Sequence, residues 1–270
     1  MRWGLFAISN PMPIQVPVAT RRLSQDEFGA IAYRFVEHAF KIHDQFGRFF
    51  DESIYQHEMV ARMDGALIEV PLTVSHRTFE KTYYLDLLEV PGGLFELKCV
   101  EAIHARHRAQ LTSYLLMMDL AHGKIINFRP TKVEHEFVNC NSRLAEQKTP
   151  RVVRENWQTG LECIEAFETL LRELIADWGI GLGTDLYTEA INHLLGRQER
   201  VMVNGSKGDV GTQVMSLLTS DTAFKITSMT KHIDEFRLHA TRLLNQTRLQ
   251  RILWANMTIG EVRFEMIGRG

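Results

Sequence analysis

The chain has 270 residues, of which 45% are hydrophobic, 24% charged and 9% aromatic, proportions that exclude disordered, fibrous, collagen-like and disulfide-scaffold proteins. At ~100–200 residues per domain the length leaves room for one compact unit or two. The formal charge of -2 is spread evenly, with 17 basic against 18 acidic side chains in residues 1–150 and 14 against 15 in residues 151–270, so nucleic acid can be held only through a local cationic patch.

In chain order, Pro11, Pro13 and Pro17 mark residues 1–23 as an irregular extension. Ser24-Gln25-Asp26-Glu27 has capping-box spacing, and Phe28, Ile31, Ala32, Phe35, Val36, Ala39, Ile42 and Phe46 follow at helical intervals until Gly47. A second helix is predicted from Asp51 to Met63, closed by Asp64-Gly65. Residues 66–74 alternate apolar with polar as a half-buried strand, placed near a sheet edge by Pro71. Strands over 82–90 and 94–100 form a hairpin across Pro91-Gly92-Gly93. A helix over 104–120 and strands over 124–128 and 133–138 complete a mixed sheet flanked by helices, an α/β class.

After Pro150 the pattern predicts a long helix over 155–178, a Gly-rich break at 179–183 and a helix over 185–195. Strands over 199–203, 214–218 and 223–227, a helix over 231–253 and a final pair around Trp254 and Val262 follow. The order repeats that of the first half. Phe95 with Phe224 and Asn127 with Asn256 share an offset of 129, and Tyr55 with Tyr187 gives 132. A diverged tandem duplication explains this; an unrelated helical accessory domain is the alternative.

Cys99, Cys140 and Cys163 are odd in number and lack CxxC spacing, which argues against a disulfide framework or zinc knuckle. Residues 1–10 are too short and wrongly built for a secretory signal, and no apolar run approaches the ~18–20 residues of a membrane helix. A cytoplasmic protein with no membrane partner is expected.

Chemistry concentrates on the hairpin. Asp86 stands among Tyr83, Tyr84, Leu85, Leu87 and Leu88, where a carboxylate is costly to bury unless it is paired or coordinates a cation. Strand alternation puts Glu96 and Lys98 on one face and Phe95, Leu97 and Cys99 on the other. A solvated charged strand face is the ordinary alternative. The two carboxylates offer hard oxygen ligands suited to Mg²⁺ or Mn²⁺, and Lys98 would orient a water or screen developing charge, an arrangement that serves phosphodiester hydrolysis. His104 and His107 have i, i+3 spacing but no third ligand at useful distance, so they are not read as a metal site.

Asp86 followed by Glu96-Leu97-Lys98 resembles the signature of the PD-(D/E)XK nuclease superfamily, and the surrounding segments resemble its GxxExxY family. Glu52-Ser53-Ile54-Tyr55 supplies the ExxY part, although Phe49 takes the place of the motif's glycine, with Gly47 two residues earlier. Gln110-Leu111, Tyr114-Leu115 and Ile126-Asn127-Phe128 are also similar to this family. The resemblance covers about residues 24–140 and implies a restriction-endonuclease-like core over 24–148. It implies Asp86, Glu96 and Glu52 as holders of Mg²⁺ or Mn²⁺, Lys98 as catalytic lysine, and Gln110 at the metal site or the nucleic-acid backbone, supported by Tyr114. The ordinary alternatives are a helix-favouring role for Glu52 and core packing for Tyr55 and Tyr114.

Arg106 and Arg108 open the helix carrying Gln110, whose N-terminus suits a backbone phosphate; a solvated basic turn is the alternative. In the second half Phe224-Lys225-Ile226-Thr227 stands opposite Phe95-Glu96-Leu97-Lys98, Met215 or Ser216 opposite Asp86, and Thr184 opposite Glu52. Residues 149–270 are thus expected to be a degenerate copy. Lys231, Arg237, Arg242, Arg248 and Arg251 there either hold nucleic acid or form a solvated face. The expected function is metal-dependent hydrolysis of DNA or RNA. The alternative is a non-catalytic nucleic-acid-binding or regulatory module retaining the fold. The halves are further expected to form an intramolecular pseudo-dimer.

Overall fold

Helix α1 (Gln25–Phe46) starts where the sequence places it. Ser24 accepts from the Glu27 amide and Glu27 from the Ser24 amide, so two amides left over by the first turn are satisfied reciprocally. Phe28, Ala32, Phe35, Ala39 and Ile42 form its buried stripe, and Gly47 ends it at φ 73°, a conformation that a side chain would strain. Residues 12–158 and 160–269 are described by this computed structural model. Most of the proline-rich start expected to be irregular lies outside the described residues. Its end is a short strand, β1 (Ile14–Gln15), paired antiparallel to Val74 and Thr73.

Helix α2 (Glu52–Arg62) leads into β2 (Ala66–His76), β3 (Phe79–Glu89) and β4 (Gly93–Lys98). Helix α3 (Ala105–Met117), β5 (His122–Asn127) and β6 (Glu134–Asn139) follow. The strands form one mixed sheet in the order β1-β2-β3-β4-β5-β6, parallel only between β4 and β5. Pro71 lies on β2, next to the edge, which β1 covers for only two residues.

The second half differs from expectation at two places. Residues 151–155 form strand β7 (Arg151–Glu155), and the long helix α4 begins only at Glu162 and runs to Trp178. Val152 and Val153, β-branched and flanked by arginines, suit an edge strand beside β12 better than a helical turn. After α5 (Thr184–Leu194), β8 (Arg197–Gly205), β9 (Gly208–Leu217) and β10 (Thr222–Thr227), helix α6 (Ile233–Asn245) stops eight residues before the expected Leu253. There β11 (Arg251–Thr258) and β12 (Glu261–Gly268) take over. The second sheet, β7-β12-β11-β10-β9-β8, is parallel at β10/β11 and β12/β7. A mostly helical accessory domain is therefore excluded for residues 151–268.

Several local devices recur in both halves. Tyr55 Oη donates to the Gly47 carbonyl at 2.8 Å, and Tyr187 Oη donates to Gly179. Asn127 Nδ2 reaches Val100 O at 2.7 Å, and Asn256 Nδ2 reaches Met229 O at 2.9 Å. Arg108 pairs with Glu136 and Arg237 with Glu265. Lys98 is registered opposite Asn127 and Thr227 opposite Asn256.

The layers run α1/α2, first sheet, then α3 with α4 and α5, second sheet, then α6. Phe95, Leu97, Ile126 and Phe128 pack under α1 and α2, and Trp254, Ile252 and Ala223 pack under α6. The core between the sheets joins Leu72, Val74 and Leu115 to Phe167, Leu171, Trp178 and Tyr187. Its rim is polar: His76 meets Asp177 at 2.6 Å, Lys81 meets Glu189 at 2.7 Å, and Trp178 Nε1 donates to Ser75 O. The first half contributes its β2/β3 and α3 face, the second its α4/α5 face. The contact is head-to-tail, not the isologous contact of a two-fold pseudo-dimer.

Candidate active site

The pairing of β3 with β4 runs from Glu89↔Gly93 to Leu87↔Phe95. One residue further the Asp86 carboxylate lies at the fork, where Oδ2 accepts from the Leu97 amide at 2.8 Å, in place of a backbone partner. The side chain is thereby fixed by the strand it faces. Phe95 and Leu97 bury toward α1, as alternation demands, and turn Glu96 and Lys98 to the opposite face. Asn127 receives the Val100 amide at 3.0 Å and so fixes the chain just beyond Lys98.

Around Lys98 three carboxylates gather. Its Nζ lies 2.7 Å from Glu96 Oε1, 3.5 Å from Asp86 Oδ2 and 3.7 Å from Glu52 Oε1, and donates to Leu97 O at 2.6 Å. Glu52 arrives from another layer as the first residue of α2, an end that favours a carboxylate. Tyr55 stacks on Phe128 at 4.4 Å and ties the helix to the loop before it. Glu96 is 1% exposed, yet neither of its oxygens accepts a well-directed hydrogen bond, the Lys98 contact being close but badly angled.

Burial and the neighbouring Asp86 push the Glu96 carboxyl up to about 8. Burial also raises Asp86 and Glu52, against the pull of Lys98. For Lys98 burial works downward, but its carboxylate neighbours outweigh it and hold the ammonium above its ordinary range. Acids that resist ionising thus surround a cation that resists deprotonation.

Among the described residues no three metal-ligating side chains converge on an open point; these three converge on the Lys98 ammonium. Their chemistry nevertheless fits a hard divalent cation, since all the donors are carboxylate oxygens and two of them are buried without a hydrogen-bond donor.

Two residues of this site escaped the sequence reading. Gln56, 5% exposed, donates Nε2 to the Asp86 carbonyl at 2.9 Å and to Glu69 Oε1 at 3.1 Å. Its i+4 position from Glu52 put it on the same helix face, which was a usable signal. Glu69 adopts φ 51° inside β2, and its charge helps raise Asp86. At this point the β2/β3 pair changes sides: Ile68 and Leu87 pack under α1, Val70 and Leu85 in the core between the sheets. Nothing in the local sequence announces that slip.

The α3 residues fall differently from expectation. Gln110 donates to Tyr114 Oη at 3.1 Å and has no hydrogen bond to the carboxylates; it lines a cleft of about 210 Å³ shared with Leu182 and Asp185. Tyr114 is 6% exposed, packed edge-on against Tyr83, with burial pushing its hydroxyl up to about 12. It is a core residue and does not present a surface to nucleic acid. Arg108 is held by both Glu136 oxygens, at 2.5 and 2.8 Å, and the His104 amide donates to His107 Nδ1 at 3.1 Å, with Arg106 Nε 3.1 Å from the other ring nitrogen. The helix start is closed on itself by these bonds, so Arg108 in particular is not a free phosphate ligand. In the second half Arg237 is engaged by Glu155, Asp234 and Glu265, and Arg248 by Glu199.

Opposite the carboxylates the second half presents other chemistry. The Ala223↔Leu217 register sets Lys225 against Met215, as Glu96 is set against Asp86. Thr227 occupies the Lys98 position and donates to Asn256. Lys225, Met215, Phe236 and His239 line a cavity of about 410 Å³. No cluster of carboxylates exists there among the described residues.

A model of the PD-(D/E)XK nuclease superfamily matches residues 29–139. The match spans Glu52, Asp86, Glu96 and Lys98 and ends before β7. Neither a curated protein nor a solved structure matches the chain.

Proposed function

We propose that the protein is a nuclease that hydrolyses phosphodiester bonds of nucleic acid with a divalent cation, Mg²⁺ or Mn²⁺, held by Asp86, Glu96 and Glu52. The carrying observation is the pair of buried, donor-less Glu96 oxygens set beside Asp86 and Glu52 around one lysine. The superfamily match over the same residues supports it. The ExxY run from Glu52 to Tyr55 supports assignment to the GxxExxY family within that superfamily. No helix among the described residues is long and apolar enough to cross a membrane.

A bound cation would polarise the phosphoryl oxygen and acidify a water molecule. The side chains supply the rest. Lys98, kept charged by its neighbours, donates hydrogen bonds to the negative charge that develops on the phosphate oxygens. Asp86, fixed by the Leu97 amide and by Gln56 on its carbonyl, holds its oxygens in place without reorganisation. Glu52, with 40% of its side chain exposed, is the carboxylate that solvent and substrate reach most readily.

We further propose that residues 149–270 are a degenerate copy of residues 24–148, which explains the recurring Tyr–Gly, Asn–loop and Arg–Glu devices. The copy lacks the carboxylates and serves as packing partner for the first half.

The test is cleavage of labelled DNA and RNA with Mg²⁺ or Mn²⁺ by the full chain, beside Asp86→Asn and Lys98→Ala. Cutting by the wild type that both variants lose is expected. Equal inertness of all three over single- and double-stranded substrates overturns the nuclease reading and leaves the non-catalytic module.

A further inference from the structure

The loop between α1 and α2 presents Phe49 to solvent in a manner that packing does not explain. Phe49 is 78% exposed, while its neighbours are tied down. Gly47 O accepts from Tyr55 Oη at 2.8 Å, Arg48 O from Arg129 Nη1 at 3.1 Å, and the Phe50 amide donates to Tyr55 Oη at 3.3 Å. Phe50 sets its ring edge-on against Phe46 and Tyr55. The outward ring therefore sits on a backbone whose other members are fixed, and presenting it costs little further ordering.

Its surroundings are cationic. The Arg48 guanidinium lies 5.1 Å from the Phe49 ring centroid. Arg129 spans from Arg48 O to Cys99 O, the residue after Lys98, and so joins this loop to the end of β4. Among the described residues neither Arg48 nor Arg129 has a carboxylate within 4.0 Å. Asp51 and Glu52 follow on the side toward the carboxylate cluster. Glu52 lies three positions after Phe49, a reach of at most about 10 Å.

The matching loop of the second half behaves otherwise. There Ile180 and Leu182, corresponding to Arg48 and Phe50, are buried between the halves. The same turn can be made with apolar residues when it is covered; the first half instead carries cations and an outward aromatic ring.

We infer that Phe49, flanked by Arg48 and Arg129, is a stacking platform for an unpaired base, so that the substrate engaged at this site is single-stranded nucleic acid or a frayed end. Aromatic faces bind bases of any sequence, and neighbouring cations neutralise the phosphates. A duplex keeps its bases stacked on each other and offers Phe49 no free face. This inference deepens the nuclease reading and takes the carboxylate cluster as the place to which the adjoining phosphate is led.

The experiment is fluorescence anisotropy of a labelled oligothymidylate of about 15 residues, within the range of single-strand site sizes, and of a duplex of equal length. Both are titrated with the full chain in EDTA, where no cutting occurs. Expected are tighter binding to the single strand, a ~5–150-fold loss in Phe49→Ala, from ~1–3 kcal/mol per stacked base, and retention in Phe49→Trp. Arg48→Ala should reduce the salt dependence, and Tyr33→Ala, which removes a ring on the outer face of α1, should change nothing. Binding by Phe49→Ala within about twofold of wild type overturns the inference. So does equal loss in Phe49→Trp, or a loss that tracks dissociation of a chain dimer in sedimentation, which would make the loop a self-association surface. Phe49-dependent binding without cleavage by the wild type sinks only the nuclease reading; cleavage with Phe49-independent binding sinks only this one.

Discussion

The two halves of the molecule share a frame and differ at the point where chemistry would occur. Both close the turn before their second helix with a tyrosine hydroxyl on a glycine carbonyl, and both brace the loop after the central strand with an asparagine. Where the first half sets Asp86, Glu96, Lys98 and Glu52, the second sets Met215, Lys225, Thr227 and Thr184. The devices kept in both satisfy buried backbone groups, which any such fold must do. The groups found in one only, three acids around a lysine, cost stability and are retained where they serve something else.

The sharpest break in the comparison comes from matched substitutions. Lys98→Ala should lower cleavage ~10²–10⁴-fold, the usual scale for a group acting directly in proton or charge transfer. Thr227→Ala, at the corresponding position, should leave steady-state cleavage unchanged. A comparable loss in Thr227→Ala would place function in the second half as well.

Next in size is the arginine pair. Glu265 is buried, so Arg237→Met leaves an uncompensated charge and should cost roughly 3 kcal/mol in urea unfolding. Arg108 and Glu136 are both half-exposed and screened by solvent, and Arg108→Met should cost clearly less. Equal costs would show that the second half no longer relies on its pair more than the first.

A further effect concerns pH and belongs to the first half alone. Glu96 titrates near 8 when folded against an ordinary 4.5, so the folded chain binds a proton that the unfolded chain has released. Stability is complete below about 4.5 and falls as pH rises through 8. Metal-free protein should therefore show a Tm that declines across this window, and Glu96→Gln should flatten the decline. By the same linkage, Mn²⁺ affinity measured by calorimetry should rise with pH over this range, because binding expels that proton. A pH-independent Tm would mean that Glu96 is already ionised in the fold.

Much of the first half was legible because its signals are local. The capping box at Ser24, the heptad-like spacing from Phe28 to Ile42 and the Pro-Gly-Gly turn each depend on a few consecutive residues. The Asp86, Glu96 and Lys98 constellation was legible because alternation fixes the face of every strand residue. Strand β7 was missed because five residues beside β12 gain their partner from more than a hundred positions away. Helix α6 was overextended because Leu249 and Leu253 fit a helical stripe as well as the buried positions they occupy. Tyr114 and Arg108 were misplaced for a related reason. Their helix face was evident, but whether it met solvent, Glu136 or the second half was not.

The sequence by itself determined the element order from α1 to β6 and which residue types converge on the β3/β4 hairpin, since these follow from periodicity, turn chemistry and side-chain alternation. Only the tertiary structure decided that the halves stack head-to-tail and that Gln56 and Glu69 brace Asp86. It also decided that Glu96 is buried without a hydrogen-bond donor and that Phe49 stands outward from a pinned loop. Each of these depends on contacts between segments distant along the chain, where burial and electrostatics are set by what the fold brings alongside.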